Sequence, residues 1–315
     1  MTQKDDLAFV FPGQGSQSPG MLRELAESFP EVRQVFSRAS DVLKLDLWKM
    51  VREDQTGQLN QTTNTQPAML TAGVAVWEVW NSQTSVRPGW MAGHSLGEFT
   101  ALVCANSIAF EDAVALVRQR ATLMQDAVPV GAGAMAVVIG LDDDVIADLC
   151  LGISGPDGIV SSVNFNSPGQ VVIAGNAAAV GVAIEAAKEA GARRAMILPV
   201  SVPSHCELMR SAAEKFADHL DGVSIEAPEI PVVHNFDVAS HSDPVAIRDV
   251  LMKQVYNPVR WIESVKHLHA QGVTSFVECG PGKVLCGLNK RIVRECNAFP
   301  IVDPASLEKA VEKCE

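Results

Sequence analysis

The strongest constraint on how this chain can fold is the stretch Trp90-Met91-Ala92-Gly93-His94-Ser95-Leu96-Gly97-Glu98-Phe99, where a short apolar run meets a serine set between two glycines. Gly93-x-Ser95-x-Gly97 is the spacing of a nucleophile elbow, a sharp strand-to-helix turn that needs glycine on both flanks so that neighbouring backbone can pass close by. Ser95 Oγ would then stand exposed at the head of a helix. The unpaired N–H groups of the first helical turn, that of Leu96 in particular, would face any oxygen gaining negative charge there. The same five residues also occur in plain loops. The flanks favour the elbow, because 89–92 suits a short buried strand and 99–105 continues as a helix with few breakers.

A chain of 315 residues, 47% of them hydrophobic, can bury a large core and hold two structural units. Its formal net charge of -12 argues against nucleic acid or an acidic membrane as the main partner. The first residues lack a basic region followed by an apolar run and a cleavage site, and no apolar run approaches the ~18 residues that span a bilayer, so a cytoplasmic location is the expectation. The seven cysteines are odd in number and scattered, which fits reduced thiols, and they lack the paired short spacings of a metal site.

Taken in order, Leu7-Ala8-Phe9-Val10-Phe11 reads as a buried strand that Pro12 ends at the loop Gly13-Gln14-Gly15-Ser16-Gln17. This loop lacks the third glycine of a dinucleotide fingerprint, and Pro19 breaks into the place of its helix. Two uses remain, a plain tight turn or close backbone approach to a substrate with the Gln14 N–H as donor. Helical patterns cover 21–29, 30–42 and 66–80, the last with Pro67 in its first turn, and another runs over 110–125. From Gly133 the pattern becomes strand 135–139, helix 142–150, strands 160–164 and 170–174, helix 177–190 and strand 195–198. That β-α-β-β-α-β order is the signature of a ferredoxin-like unit inserted between the elbow half and the rest of the chain. Its bounds are 131–198, leaving 1–130 and 199–315 as the large domain. Gly280-Pro281-Gly282-Lys283 lacks the glycine that would complete a phosphate loop.

Two further side chains stand out. On the 110–125 helix, about 100° per residue places Arg120 inside the apolar stripe of Ala113, Val117, Ala121 and Met124, with Arg118 at its edge. A buried guanidinium needs an anionic partner, either an internal acid such as Glu98 or the carboxylate of a substrate. In the segment 199–207, Ser204 followed by Glu207 has the spacing of a capping box, which predicts His205 at a helix start, where the dipole would keep the imidazole neutral and available as a base.

Together, Phe11-Pro12-Gly13-Gln14-Gly15-Ser16-Gln17, Gly93-His94-Ser95-Leu96-Gly97-Glu98, Asn164-Phe165-Asn166-Ser167-Pro168-Gly169-Gln170, Pro203-Ser204-His205 and Gly280-Pro281-Gly282 resemble the malonyl-CoA:acyl carrier protein transacylase family, over Leu7 to about Arg294. The resemblance implies an α/β fold, with an α/β-hydrolase-like large domain and the ferredoxin-like insertion forming the other wall of a cleft. It implies Ser95 as the acylated nucleophile, His205 as its general base, Gln14 and Leu96 as oxyanion-hole positions, Arg120 as the partner of the malonyl carboxylate, and Gln254 as the residue whose carbonyl orients the histidine. It implies no metal and no tightly held cofactor, with malonyl-CoA and holo acyl carrier protein as substrates, and a free-standing monomer. An acidic enzyme meeting an acidic carrier protein requires a basic patch, for which Lys283, Lys290 and Arg291 are the candidates.

Overall fold

The computed structural model describes residues 2–54, 57–200 and 202–315, so Ser201 of the 199–207 segment lies outside the described residues. Its strands are β1 (Thr2–Phe11), β2 (Val86–Gly93), β3 (Gly133–Ile139), β4 (Val160–Ser167), β5 (Gln170–Asn176), β6 (Arg194–Ile197), β7 (Val232–Val233), β8 (Ser275–Cys279) and β9 (Asn297–Ile301). They form a five-stranded sheet in the order β7-β2-β1-β8-β9, parallel throughout, and a separate antiparallel sheet in the order β4-β5-β3-β6.

The apolar run 7–11 is the buried half of the central strand of the parallel sheet, and its alternation sorts side chains by size. Leu7, Phe9 and Phe11 enter the larger core with Met91 and Val277, whereas Ala8 and Val10 join Ala92, Val233, Phe276 and Trp261 on the opposite face. Parallel strands covered by helices on both faces are apolar on both, which is why 7–11 reads as a continuous run. Phe9 meets Trp77 and Trp80 edge-on at centroid distances of 5.5 and 4.9 Å. Both tryptophans belong to the helix Thr62–Gln83, which is buried along most of its length.

That helix begins four residues before the expected 66, so Pro67 sits inside it rather than in its first turn. A proline there leaves the carbonyl four residues back without its helical donor. That carbonyl, Thr63 C=O, accepts instead from Arg118 Nη1 at 2.7 Å, and the same nitrogen donates to Asn64 Oδ1 at 2.7 Å. The breaker is therefore satisfied by the arginine at the edge of the neighbouring helix, Phe110–Asp126.

Residues 133–197 follow the strand and helix order read from the sequence, with the helices Asp143–Ile153 and Ala177–Glu189 on one face of the antiparallel sheet around Val138, Val171 and Ile173. The other face, with Met135, Val163 and Val172, meets Cys206 and the segment before it. A backbone bridge ties β4 to the rest of the chain, with Phe165 N donating to Val259 O at 3.0 Å and Val259 N to Val163 O at 2.8 Å.

Not expected from the sequence are the edge strands β7 and β9 and the helices Leu47–Glu53, Arg210–Asp221, Val284–Ile292 and Pro304–Cys314. The Gly280-Pro281-Gly282 loop leads into Val284–Ile292, whose first N–H groups are occupied internally: Glu278 accepts from Leu285 N at 3.1 Å and Cys286 N at 2.7 Å. The seven cysteines are free and buried. Among the described residues, no helix is long and apolar enough to cross a membrane, and no group of three His, Cys, Asp or Glu side chains is arranged to hold a metal ion.

Candidate active site

The Gly93–Gly97 turn joins β2 to the helix Leu96–Cys104, and its glycines are there for a measurable reason. A Cβ on Gly93 would lie 1.8 Å from the Gly97 carbonyl carbon, and one on Gly97 2.0 Å from Phe11 O. The two strand ends and the helix start touch backbone to backbone, and Ser95 between them is forced to φ 52°, ψ -109°. That left-handed conformation is costly for a serine and is held by surrounding bonds. Ser95 N donates to Asn235 Oδ1 at 2.7 Å, and Asn235 Nδ2 donates to Gly93 O at 2.7 Å.

Ser95 Oγ faces a cavity of about 110 Å³ at the junction of the two sheets' layers. His205 approaches from the far side, its Nε2 2.7 Å from Ser95 Oγ. Its Nδ1 lies 2.8 Å from Gln254 O, a carbonyl that can only accept, so Nδ1 carries the proton and Nε2 is left as the acceptor for the serine hydroxyl. Arg120, 2% exposed, reaches the same point: Nη1 donates to Gln66 Oε1 at 2.8 Å, and Nη2 to Gln254 Oε1 at 2.9 Å and to Ser95 Oγ at 3.3 Å. Gln14 and Leu96 line the cavity beside them. Neither backbone N–H is taken by an acceptor among the described residues. Thr62 Oγ1 holds the Gln14 side chain by donating to Oε1 at 2.6 Å. All six residues expected from the sequence therefore converge on one cavity or on its immediate wall.

The chain matches the acyl transferase domain family over residues 8–310. It is 54% identical to the malonyl CoA-acyl carrier protein transacylase of Salmonella typhimurium, covering 99% of each chain, and 53% identical to that of Escherichia coli K12, covering 99% of this chain and 100% of the other. The chain belongs to the malonyl CoA-acyl carrier protein transacylase family. Among solved structures, an acyl carrier protein S-malonyltransferase from Vibrio cholerae superimposes with a TM-score of 0.94 at 52% identity, covering 97% of this chain and 99% of that one. A malonyl-transacylase solved in complex with its type II PKS acyl-carrier protein superimposes with a TM-score of 0.96 at 53% identity, covering 98% and 99%.

The environment of His205 corrects one expectation. No helix starts at this residue: His205 lies in a turn at φ 65°, and a short 3-10 helix, Glu207–Met209, follows without a side-chain cap. Glu207 pairs with Arg210 instead of reaching back to close a capping box. The imidazole is kept neutral by other means. Burial pushes its pKa down to about 3, the Arg120 charge adds to that, and the bond to Gln254 O opposes it. Burial likewise lowers Arg120 to about 10, with Glu98 acting against the shift, and the guanidinium stays charged at neutral pH.

Glu98 does not pair directly with Arg120. The Gln254 side chain stands between them, accepting from Arg120 through Oε1 and donating through Nε2 to Glu98 Oε2 at 2.9 Å and to Ser95 O at 3.0 Å. Gln254 thus acts twice, with its main-chain carbonyl on the histidine and its side chain on the arginine. Four further polar residues complete the site. Gln66 belongs to an otherwise apolar helix, Glu98 and Asn235 act from behind the elbow, and Asn166 Oδ1 lies 2.8 Å from His94 Nε2 across the cleft. Only Asn166 and Glu98 fall inside motifs singled out in the sequence.

Proposed function

We propose that the chain transfers a malonyl group from malonyl-CoA to the phosphopantetheine thiol of acyl carrier protein, in fatty acid biosynthesis, through a malonyl-Ser95 intermediate. The observation that carries this reading is Arg120. Its guanidinium is buried 3.3 Å from Ser95 Oγ, and among the described residues it is bonded only to neutral acceptors and its Nε has no partner. A buried cation in that state favours an incoming anion, and the anion must be borne on the same acyl group that the serine takes up. A malonyl group carries its carboxylate two carbons from the reacting carbonyl; an acetyl group leaves the guanidinium unpaired.

Each residue then has one task. Ser95 Oγ attacks the thioester carbonyl and its proton passes to His205 Nε2. The Gln14 and Leu96 N–H groups receive the oxyanion of the tetrahedral intermediate. Collapse breaks the carbon–sulfur bond, and the departing CoA sulfur takes the proton from His205. In the second half-reaction the carrier thiol attacks malonyl-Ser95, His205 receives the thiol proton, and collapse returns it to Ser95 Oγ. The Gln254 carbonyl holds the imidazole in the required tautomer throughout. No step calls for a metal or a resident cofactor.

The strand order of the two sheets supports a finer description of the architecture. Residues 1–130 and 199–315 form an α/β-hydrolase-like large domain, and 131–198 a ferredoxin-like subdomain whose second face walls the cleft. The carrier protein is taken to dock beside the exposed Lys283, Lys290 and Arg291, at the head and in the last turn of the helix Val284–Ile292. The enzyme is taken to act as a cytoplasmic monomer.

Mass spectrometry of the intact protein after mixing with malonyl-CoA tests the reading. The expected result is one malonyl adduct, absent from Ser95→Ala and discharged by holo acyl carrier protein. Discharge by buffer at the same rate would make the chain a hydrolase, and no adduct at all would overturn the proposal.

A further inference from the structure

Behind the reactive serine lies a carboxylate that the mechanism above does not use. Glu98 is fully buried, and among the described residues its carboxylate is held by two N–H donors and an imidazole nitrogen. Oε2 accepts from Asn235 N at 2.9 Å and from Gln254 Nε2 at 2.9 Å, while Oε1 lies 2.8 Å from His234 Nδ1. Both amide residues that it holds reach forward to the reacting centre. Asn235 clamps the strained elbow through Ser95 N and Gly93 O. Gln254 holds Ser95 O and Arg120 Nη2.

From this juxtaposition we infer that Glu98 is a positioning residue for acyl-group selection, setting the orientation of the Gln254 amide and through it the place of Arg120. An amide has two faces of opposite polarity, and a flip exchanges them. In the observed orientation Oε1 meets the guanidinium, which can only donate, and Nε2 meets the Glu98 carboxylate and the Ser95 carbonyl. Flipped, Nε2 would oppose Arg120 Nη2, and Oε1 would oppose two acceptors, one of them a carboxylate. Glu98 makes that alternative costly because charge-assisted bonds are about twice as strong as neutral ones. With Gln254 held, Arg120 keeps a fixed acceptor and its place in the cavity wall.

The inference rests on the proposed roles of Ser95 and Arg120, and its test separates the two. The measurement is the ratio of kcat/KM for charging by malonyl-CoA to that by acetyl-CoA, on the full chain. In Glu98→Met, similar in length but unable to accept, the ratio should fall about tenfold, the effect of releasing one charge-assisted bond. In Glu98→Gln the new carbonyl can still accept from Asn235 N and Gln254 Nε2, while its amino group donates to His234 Nδ1 once the imidazole proton sits on Nε2, so the ratio should stay within about threefold of wild type. In a Gln254→Met background, which keeps the main-chain carbonyl on His205, Glu98→Met should add no further loss of ratio. A residue that merely stabilised the fold would lower both substrates alike. A folded Glu98→Met enzyme with an unchanged ratio overturns the inference, as does an undiminished loss in the Gln254→Met background. Should Glu98→Met fail to fold, a tenfold loss of ratio in Glu98→Gln overturns it, and retention there beside a loss in Gln254→Met supports it. A wild-type protein that takes up no malonyl group overturns the functional reading instead.

Discussion

Lowering the pH should expose how much folding free energy is tied up in keeping His205 neutral. Its pKa is about 3 in the folded chain against 6.5 for the free side chain, so between those values the unfolded chain binds a proton that the folded one refuses. The unfolded state therefore binds more protons, and stability must fall as pH falls through this window. At pH 5 the ratio of the two binding terms is about thirty, which is about 2 kcal/mol; at pH 7 it is close to zero. Because pH 5 is still well above the folded value, the figure depends on the free pKa and the pH alone. The comparison variant is His205→Asn. Asparagine tolerates the φ of 65° better than most residues, and its amide can donate to Gln254 O in place of Nδ1–H. Other groups titrate over the same range, but they do so equally in both proteins. Urea denaturation at pH 7 and at pH 5 should show the wild type losing about 2 kcal/mol more than His205→Asn between the two. Equal losses would mean that His205 binds its proton in the folded state as readily as in the unfolded, and the account of a base held neutral by burial and by Arg120 would be wrong.

Further outcomes follow from the same geometry. The acid limb of the pH profile of kcat/KM for acylation should lie well below pH 6.5, since the free enzyme keeps His205 neutral there; a midpoint near 6.5 in stopped-flow charging would contradict it. Arg120→Gln should cut malonyl charging by about a hundredfold or more, the cost of breaking a buried charged pair, without lowering acetyl charging, as read by adduct formation with each thioester. Gly93→Ala should leave the elbow unable to form, because no backbone shift short of opening the turn relieves a 1.8 Å contact; retained malonylation of Ser95 would refute this. Reversing the charges of Lys283, Lys290 and Arg291 should raise the KM for the carrier protein several-fold and leave that for malonyl-CoA unchanged, and a carrier KM unmoved by all three would rule out this docking face.

By itself the sequence determined the local devices. Gly93 and Gly97 announced a turn that only glycine can make, the apolar run 7–11 a central strand, and the placement of Arg120 in an apolar stripe a charge that had to be buried. Spacing also carried the β-α-β-β-α-β order of 133–197, because each element there has its own period and its own breakers. These features are local, so local periodicity and steric demand suffice to reveal them. The ends were less legible: Val232–Val233 is too short to show a period, and Asn297–Ile301 is an edge strand only half buried, so neither carries a clear apolar pattern. What the tertiary structure alone decided is how charge and polarity are shared around Ser95. His205 is neutral because it is buried beside a guanidinium, not because it begins a helix, and the expected capping box is spent on Arg210. Glu98 and Arg120 do not pair, because a glutamine 134 residues beyond the arginine stands between them. Asn235, 140 residues beyond Ser95, holds its N–H. Hydrogen bonds of that reach depend on which side chains the folded backbone brings within 3 Å, and no periodicity along the chain records them.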